Sequence, residues 1–196
     1  MPQVTLENVS HRYATELALQ DVTLAFVDDV TTAVLEGAPC DVAVLVRPGV
    51  STEQGPVLVP FTGAEHDWSA VELGAWIARN QEVPLRLVGP QEEERDASRL
   101  LASASLVVQR ALGVAATPLL VEPGPQALVR AAEDAALVVI GLSESWRREV
   151  LGRTRLALAT ETSASALLVR RGLRPGGLAP RESQTRFTWS LVVSAS

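Results

Sequence analysis

Gly141 and Gly152 bracket the residues best placed for chemistry. Ala136 to Ile140 form an apolar run that ends on Gly141, and a basic loop then leads to Gly152, Arg153 and Thr154 at the start of a helix-like stretch. Apolar residues without alternation suit a strand buried on both faces, and a glycine that stops the strand suits a turn or a close ligand. Strand, glycine, basic loop and helix start together present backbone N–H groups and positive charge to an anion. Arg147, Arg148, Arg153 and Arg155 crowd the loop, and arginine is suited to bidentate phosphate contacts. The same residues also read as a plain strand-to-helix crossover, with a solvated loop whose arginines pair with Glu144 and Glu149. Trp146 reads as a lid over a ligand, a partner contact or a cover for the sheet edge.

Composition removes other chemistries. All 17 basic residues are arginine, so a P-loop lysine, a Schiff-base lysine and a kinase-type lysine are excluded. Cys40 is the single cysteine, and His11 and His66 are the two histidines. A disulfide within the chain is impossible, and a Cys/His zinc site or a His-based triad has too few parts. With no nucleophile–base pair visible, the expectation is a protein that is not an enzyme and holds no metal. His66 and Asp67 read as a helix cap and a surface residue rather than an acid–base pair. The net charge of −6 argues against a nucleic-acid partner. No apolar run approaches the roughly 20 residues that span a bilayer, and the opening M-P-Q-V-T-L-E-N-V-S does not read as a signal peptide. A cytoplasmic location is expected.

The elements that must position the glycines alternate regularly. Val57–Phe61, Leu85–Val88, Thr117–Val121, Leu137–Ile140 and Ser165–Val169 read as strands. Helices are expected over Asp67–Arg79, from the acidic Glu92–Glu94 to about Leu112, over Pro125–Ala135 and over Thr154–Thr162. Such alternation indicates an open α/β sheet with parallel strands, covered on both faces. Hydrophobic residues make up 47% of the chain and aromatic residues only 4%, so the core is expected to be aliphatic.

Outside this block, Val4–Leu6 and Val22–Phe26 are β-like runs separated by a polar stretch with His11, Arg12 and Tyr13. The two runs resemble the opening strands of an ABC-transporter ATPase domain, in which Tyr13 would stack on adenine. The glycine-rich Walker loop does not follow, so no function is carried over. Asp28–Gly37 reads as a helix, Asp41–Val46 as a buried strand, and residues 51–56 as a linker. Shifting the chain so that Thr31 falls on Thr154 also places Leu35 on Leu158, Leu45-Val46-Arg47 on Leu168-Val169-Arg170, and Gly49 on Gly172. Residues 28–49 thus echo the last helix and strand. The resulting division is an incomplete or accessory segment at 1–50, a linker at 51–56, an α/β domain at 57–172 and a tail at 173–196. Phe187–Val193 in the tail is apolar and expected to dock, on this domain's own surface or on a partner.

The run P-V-L-V-P-F-T-G-A-E-H-D-W, with V-V-I-G and L-G-R-T later and A-L-L-V-R-R-G at the end, resembles the universal stress protein family over residues 56–172. Residues 28–49 are similar to the closing part of a preceding copy, as in the tandem form found in the cytoplasmic part of cation/proton antiporters. The resemblance implies a doubly wound open parallel five-stranded sheet of order 3-2-1-4-5, of the adenine nucleotide alpha hydrolase-like kind. It also implies dimerisation through the last strand, hence a homodimer or, with two such strands in one chain, an intrachain pseudo-dimer in which Val42–Val46 lies beside Ser165–Val169. The residues it places at a nucleotide site are Phe61, Thr62, Gly63, Val88, Gly141, Gly152, Arg153 and Thr154, with ATP or AMP as the ligand. Two positions depart from the family pattern. Thr62 stands where an Asp is expected and cannot offer a carboxylate. Glu144 stands in place of a glycine, and the spacer to Gly152 is short. The expected function is a non-catalytic regulatory or interaction domain linked to nucleotide sensing and cation/proton transport, with a membrane transporter as partner. The alternative is an ATP- or AMP-binding stress protein with slow or no hydrolysis.

Overall fold

Short aliphatic runs divided by helices fold into a six-stranded sheet, beside a separate two-stranded one, in the computed structural model, which describes residues 9–13, 16–22, 29–47, 55–91, 96–144, 146, 152–173 and 178. The chain divides into two units, Met1–Pro39 and Cys40–Ser196. In the first, β1 (Val9–Tyr13) and β2 (Glu16–Val22) pair antiparallel, and α1 spans Asp29–Gly37. His11, Arg12 and Tyr13 therefore lie within a strand and not between two, because the β-formers Val9 and Tyr13 favour extended backbone at its ends. Val4–Leu6 lies outside the described residues.

The second unit holds β3 (Val42–Arg47), β4 (Val57–Pro60), α2 (Glu65–Gln81), β5 (Leu85–Pro90), α3 (Ala97–Leu112), β6 (Ala116–Val121), α4 (Pro125–Ala131), β7 (Leu137–Leu142), α5 (Gly152–Glu161) and β8 (Ser165–Arg170). The sheet order is β3-β8-β7-β4-β5-β6. The last five strands in chain order are mutually parallel, with Val57 beside Leu85 and Leu137 beside Ser165. β3 joins at the edge, antiparallel to β8, with Val44 opposite Leu168 and a register shift between Leu45 and Arg47. Val42–Val46 and Ser165–Val169 are thus neighbours. The strand placed by sequence with the N-terminal segment hydrogen-bonds into the larger sheet.

Both sheet faces are covered, as parallel strands require. Val57, Val59, Val139 and Val169 enter a core with Trp68, Val71 and Ala75 of α2 and Leu101, Ala104 and Val108 of α3. The alternate residues Leu58, Val138, Ile140 and Leu168 are equally buried, on the face that α4 and α5 share. Phe61 and Trp68 meet edge to face at 4.9 Å, a favourable aromatic geometry. Leu178 is fully buried in the same core, and its N–H donates to Glu72 Oε2 (3.3 Å). The segment read as a linker tail therefore returns to α2, whereas Phe187–Val193 lies outside the described residues.

Several expected boundaries move. α4 ends at Ala131 and a turn leads to the next strand, so the helix expected to Ala135 is shorter. Pro56 is buried and accepts a hydrogen bond from the Ala136 N–H (3.1 Å), so the last two residues of the expected linker belong to the fold. Asp96 caps α3, its side chain accepting from the Arg99 N–H (3.0 Å); Glu92–Glu94 lie outside the described residues. Gly141 does not stop its strand but lies inside β7. Among the described residues, no helix is long and apolar enough to cross a membrane.

Candidate functional site

β4 ends at Pro60, and the chain turns through Phe61, Thr62 and Gly63 into α2. Phe61 is buried and its N–H donates to the Val88 carbonyl (2.8 Å), which extends the β4–β5 ladder by one residue. Gly63 has φ +83°, and a Cβ there would come within 3.2 Å of the Leu100 methyls. Four of the residues assigned to the site, Phe61, Thr62, Gly63 and Val88, are therefore together at the carboxyl ends of β4 and β5. In open α/β sheets, ligands bind at such strand ends.

The carboxylate of Asp67 organises this turn. Asp67 is the third residue of α2 and only 1% exposed. Its Oδ2 accepts from the Thr62 N–H (2.8 Å), the Thr62 hydroxyl (2.8 Å) and the Ala64 N–H (3.2 Å). Its Oδ1 accepts from Nη2 of Arg155 on α5 (3.3 Å). A buried carboxylate needs such partners, and its position in the first turn of a helix adds the favourable end of the helix dipole. The expectation of a surface residue is corrected: Asp67 is a buried acid that joins strand end, helix start and α5. The signal available in sequence was its spacing from Ala64, since an acidic residue at this helix position reaches back to the backbone of the residue before the helix.

His66 lies against the same group. Arg155 Nη2 stands 2.6 Å from His66 Nε2, and His66 Nε2 stands 3.3 Å from Asp67 Oδ1. These two contacts at Nε2 exclude one another, because the nitrogen either accepts from a guanidinium or carries a proton toward the carboxylate. The shorter contact is with Arg155. Arg155, one of the crowd noted in the sequence, is thus the cation that reaches the β4 turn among the described residues. In the same first turn of α2, Glu65 forms an ion pair with Arg171.

Gly141 has a physical reason other than a turn or a ligand. A Cβ on it would lie 2.4 Å from the His66 carbonyl oxygen and 3.2 Å from the Asp67 Cα. The first turn of α2 rests directly on β7, and only a residue without a side chain permits that approach. Gly141 is consequently adjacent to Asp67. Gly152 opens α5 with φ +68°, and among the described residues no atom lies within 4 Å of a hypothetical Cβ. Gly152 and Arg153 are exposed and Thr154 is half-buried. Of the first turn of α5, Arg155 makes the contact with the β4 turn. Glu144 is exposed and Trp146 half-buried, its N–H donating to the Ser143 carbonyl (3.1 Å). Arg147, Arg148 and Glu149 lie outside the described residues.

This arrangement defines an open, doubly wound α/β protein with a polar cluster at the strand ends. No family model and no curated protein sequence matches the chain. Solved structures do. A universal stress protein from Archaeoglobus fulgidus matches with 18% identity and a TM-score of 0.50, over 59% of this chain and 93% of that one. A second universal stress protein structure, from Archaeoglobus fulgidus DSM 4304, matches with 18% identity and a TM-score of 0.56, over 71% of this chain. The chain spans about half, 52%, of that second protein. The larger unit has the universal stress protein fold.

Proposed function

We propose that this chain is a non-catalytic regulatory or interaction domain of the universal stress protein kind, in which the nucleotide position at the strand ends has been turned to structural use. The observation that carries the reading is the saturation of Asp67. Its two oxygens accept from Thr62, Ala64 and Arg155, so the cation that reaches the β4 turn among the described residues is committed to the chain's own acid. Thr62 in place of an Asp and Glu144 in place of a glycine support the same reading. The pairing of β3 with β8 supports an intrachain pseudo-dimer, because the edge used for dimerisation in the family that the sequence resembles is filled here by the chain itself. The partner class implied by that resemblance is the membrane part of a cation/proton antiporter.

A specific observation favours a second reading, binding of ATP or AMP. Gly152 holds a left-handed φ at the start of α5 beside the exposed Arg153, which leaves backbone N–H groups and a cation at a helix start. Calorimetric titration with ATP–Mg²⁺ separates the two. The regulatory reading expects no saturable heat at micromolar concentrations. Micromolar binding that is abolished by Arg153→Ala and by Gly152→Val overturns it.

A further inference from the structure

We propose that His66, Arg155 and Asp67 form a pH-operated tie, in which protonation of His66 releases Arg155 and with it the hold of α5 on the first turn of α2. Three atoms meet there as a triangle. Arg155 Nη2 stands 2.6 Å from His66 Nε2 and 3.3 Å from Asp67 Oδ1, and His66 Nε2 stands 3.3 Å from the same Oδ1. One carboxylate oxygen thus has two nitrogens within reach, one from each helix. The tie needs no nucleotide and stands apart from the ligand reading of the strand ends.

A guanidinium carries donors and no acceptor. The contact with Arg155 therefore uses the lone pair of His66 Nε2, which is present only while that nitrogen is unprotonated. Imidazole is the side chain whose ordinary charge change falls between about pH 5 and 8. A proton taken up at Nε2 in that range turns the acceptor into a donor and sets two cations against each other. The imidazolium then donates to Asp67 Oδ1, the guanidinium is repelled, and the charge of Asp67 stays matched by one cation. Arg155 has a way out, since its side chain is 29% exposed, whereas that of Asp67 is 2% exposed. Oδ2 keeps its donors from Thr62 and Ala64 in both states, so the β4 turn holds. Ala157 and Leu158 are buried, which keeps the body of α5 packed and confines the response to its first turn.

Among the described residues, the other charged groups at this corner have their own places. Glu65, one residue before His66, pairs with Arg171, and Arg170 at the end of β8 donates to the Arg171 carbonyl (2.9 Å). β7 brings Gly141, without a side chain, against the His66 carbonyl, and the β4 turn brings the uncharged Thr62. Arg153 on α5 and Glu144 after β7 are exposed. Asp67 is the acid for which the two cations compete.

Nuclear magnetic resonance of the full chain from pH 8 to pH 5 tests this. His11 and His66 are the two histidines, so His11→Gln leaves the His66 ring nitrogens as the imidazole signal. The guanidinium carbon of Arg155 is assigned by its loss in Arg155→Lys. The expected result is one midpoint shared by the His66 ring and the Arg155 guanidinium, with about a tenfold loss of amide exchange protection in the first turn of α5 on the acid side. In His66→Gln, whose amide oxygen accepts from Arg155 without titrating, the Arg155 signal is expected to stay flat over the same range. An Arg155 signal that does not move while His66 titrates overturns the proposal, and so does a His66 ring that does not titrate between pH 5 and pH 8. A step in the Arg155 signal that persists in His66→Gln belongs to another group and overturns it as well. The shared midpoint is read in a chain with both His66 and Arg155 in place, so the test stands even where His66→Gln does not fold.

Discussion

The turn after β4 and the start of α5 are both polar, yet they are built on opposite terms. At the β4 turn, a buried acid is surrounded by two backbone N–H groups, a hydroxyl and a guanidinium, and a glycine on β7 lets the helix rest on the strand. At the start of α5, Gly152 and Arg153 are exposed, and among the described residues no atom crowds the Gly152 position. Polarity at a strand end therefore has two meanings. It is a fastening where the groups are matched within the chain, and it is left to solvent where they are exposed.

Substitutions separate the two meanings by their effect on stability. Asp67→Ala leaves two N–H groups, a hydroxyl and the Arg155 guanidinium unmatched, and is expected to cost about 3 kcal/mol in urea denaturation. Gly141→Ala inserts a methyl where the His66 carbonyl oxygen stands 2.4 Å away, with an expected cost of about 2 kcal/mol by the same measurement. Thr62→Val removes one hydroxyl donor from Asp67 and should cost about 1 kcal/mol. Arg153→Ala, at an exposed position, should change stability by less than about 0.5 kcal/mol. An Arg153→Ala variant as unstable as Asp67→Ala would break the distinction. An Asp67→Ala variant as stable as the parent chain would break it from the other side.

The strand and helix alternation was legible because each parallel strand is a short aliphatic run and each helix carries its own periodicity. Val42–Val46 was legible as a neighbour of Ser165–Val169 through the echo between residues 28–49 and the chain's end. Its membership of the larger sheet was not, since nothing in V-A-V-L-V says which side of a unit boundary it belongs to. The meeting of Phe61, Thr62, Gly63 and Val88 was legible from the order of the strands, while the roles of Gly141 and Asp67 in the packing were not. Gly141 was taken for a strand stop because a glycine in a turn and a glycine under a helix leave the same mark in sequence. Asp67 reads as a surface residue because its partner Arg155 stands 88 residues away in the chain. Leu178 was hidden by the Pro/Gly-rich stretch around it, although it belongs to the buried core.

The antiparallel contact of β3 with β8 also sets an order of events. β3 is the first strand of the larger sheet along the chain and β8 the last. During synthesis, the apolar V-A-V-L-V stretch emerges early and waits without its native neighbour until every other strand has been made. Pairings between distant segments also slow folding, because a long loop must close before the contact is rewarded. This strand is thus the part of the larger sheet exposed longest to wrong partners, and the first candidate for a chaperone's attention while the chain is being made.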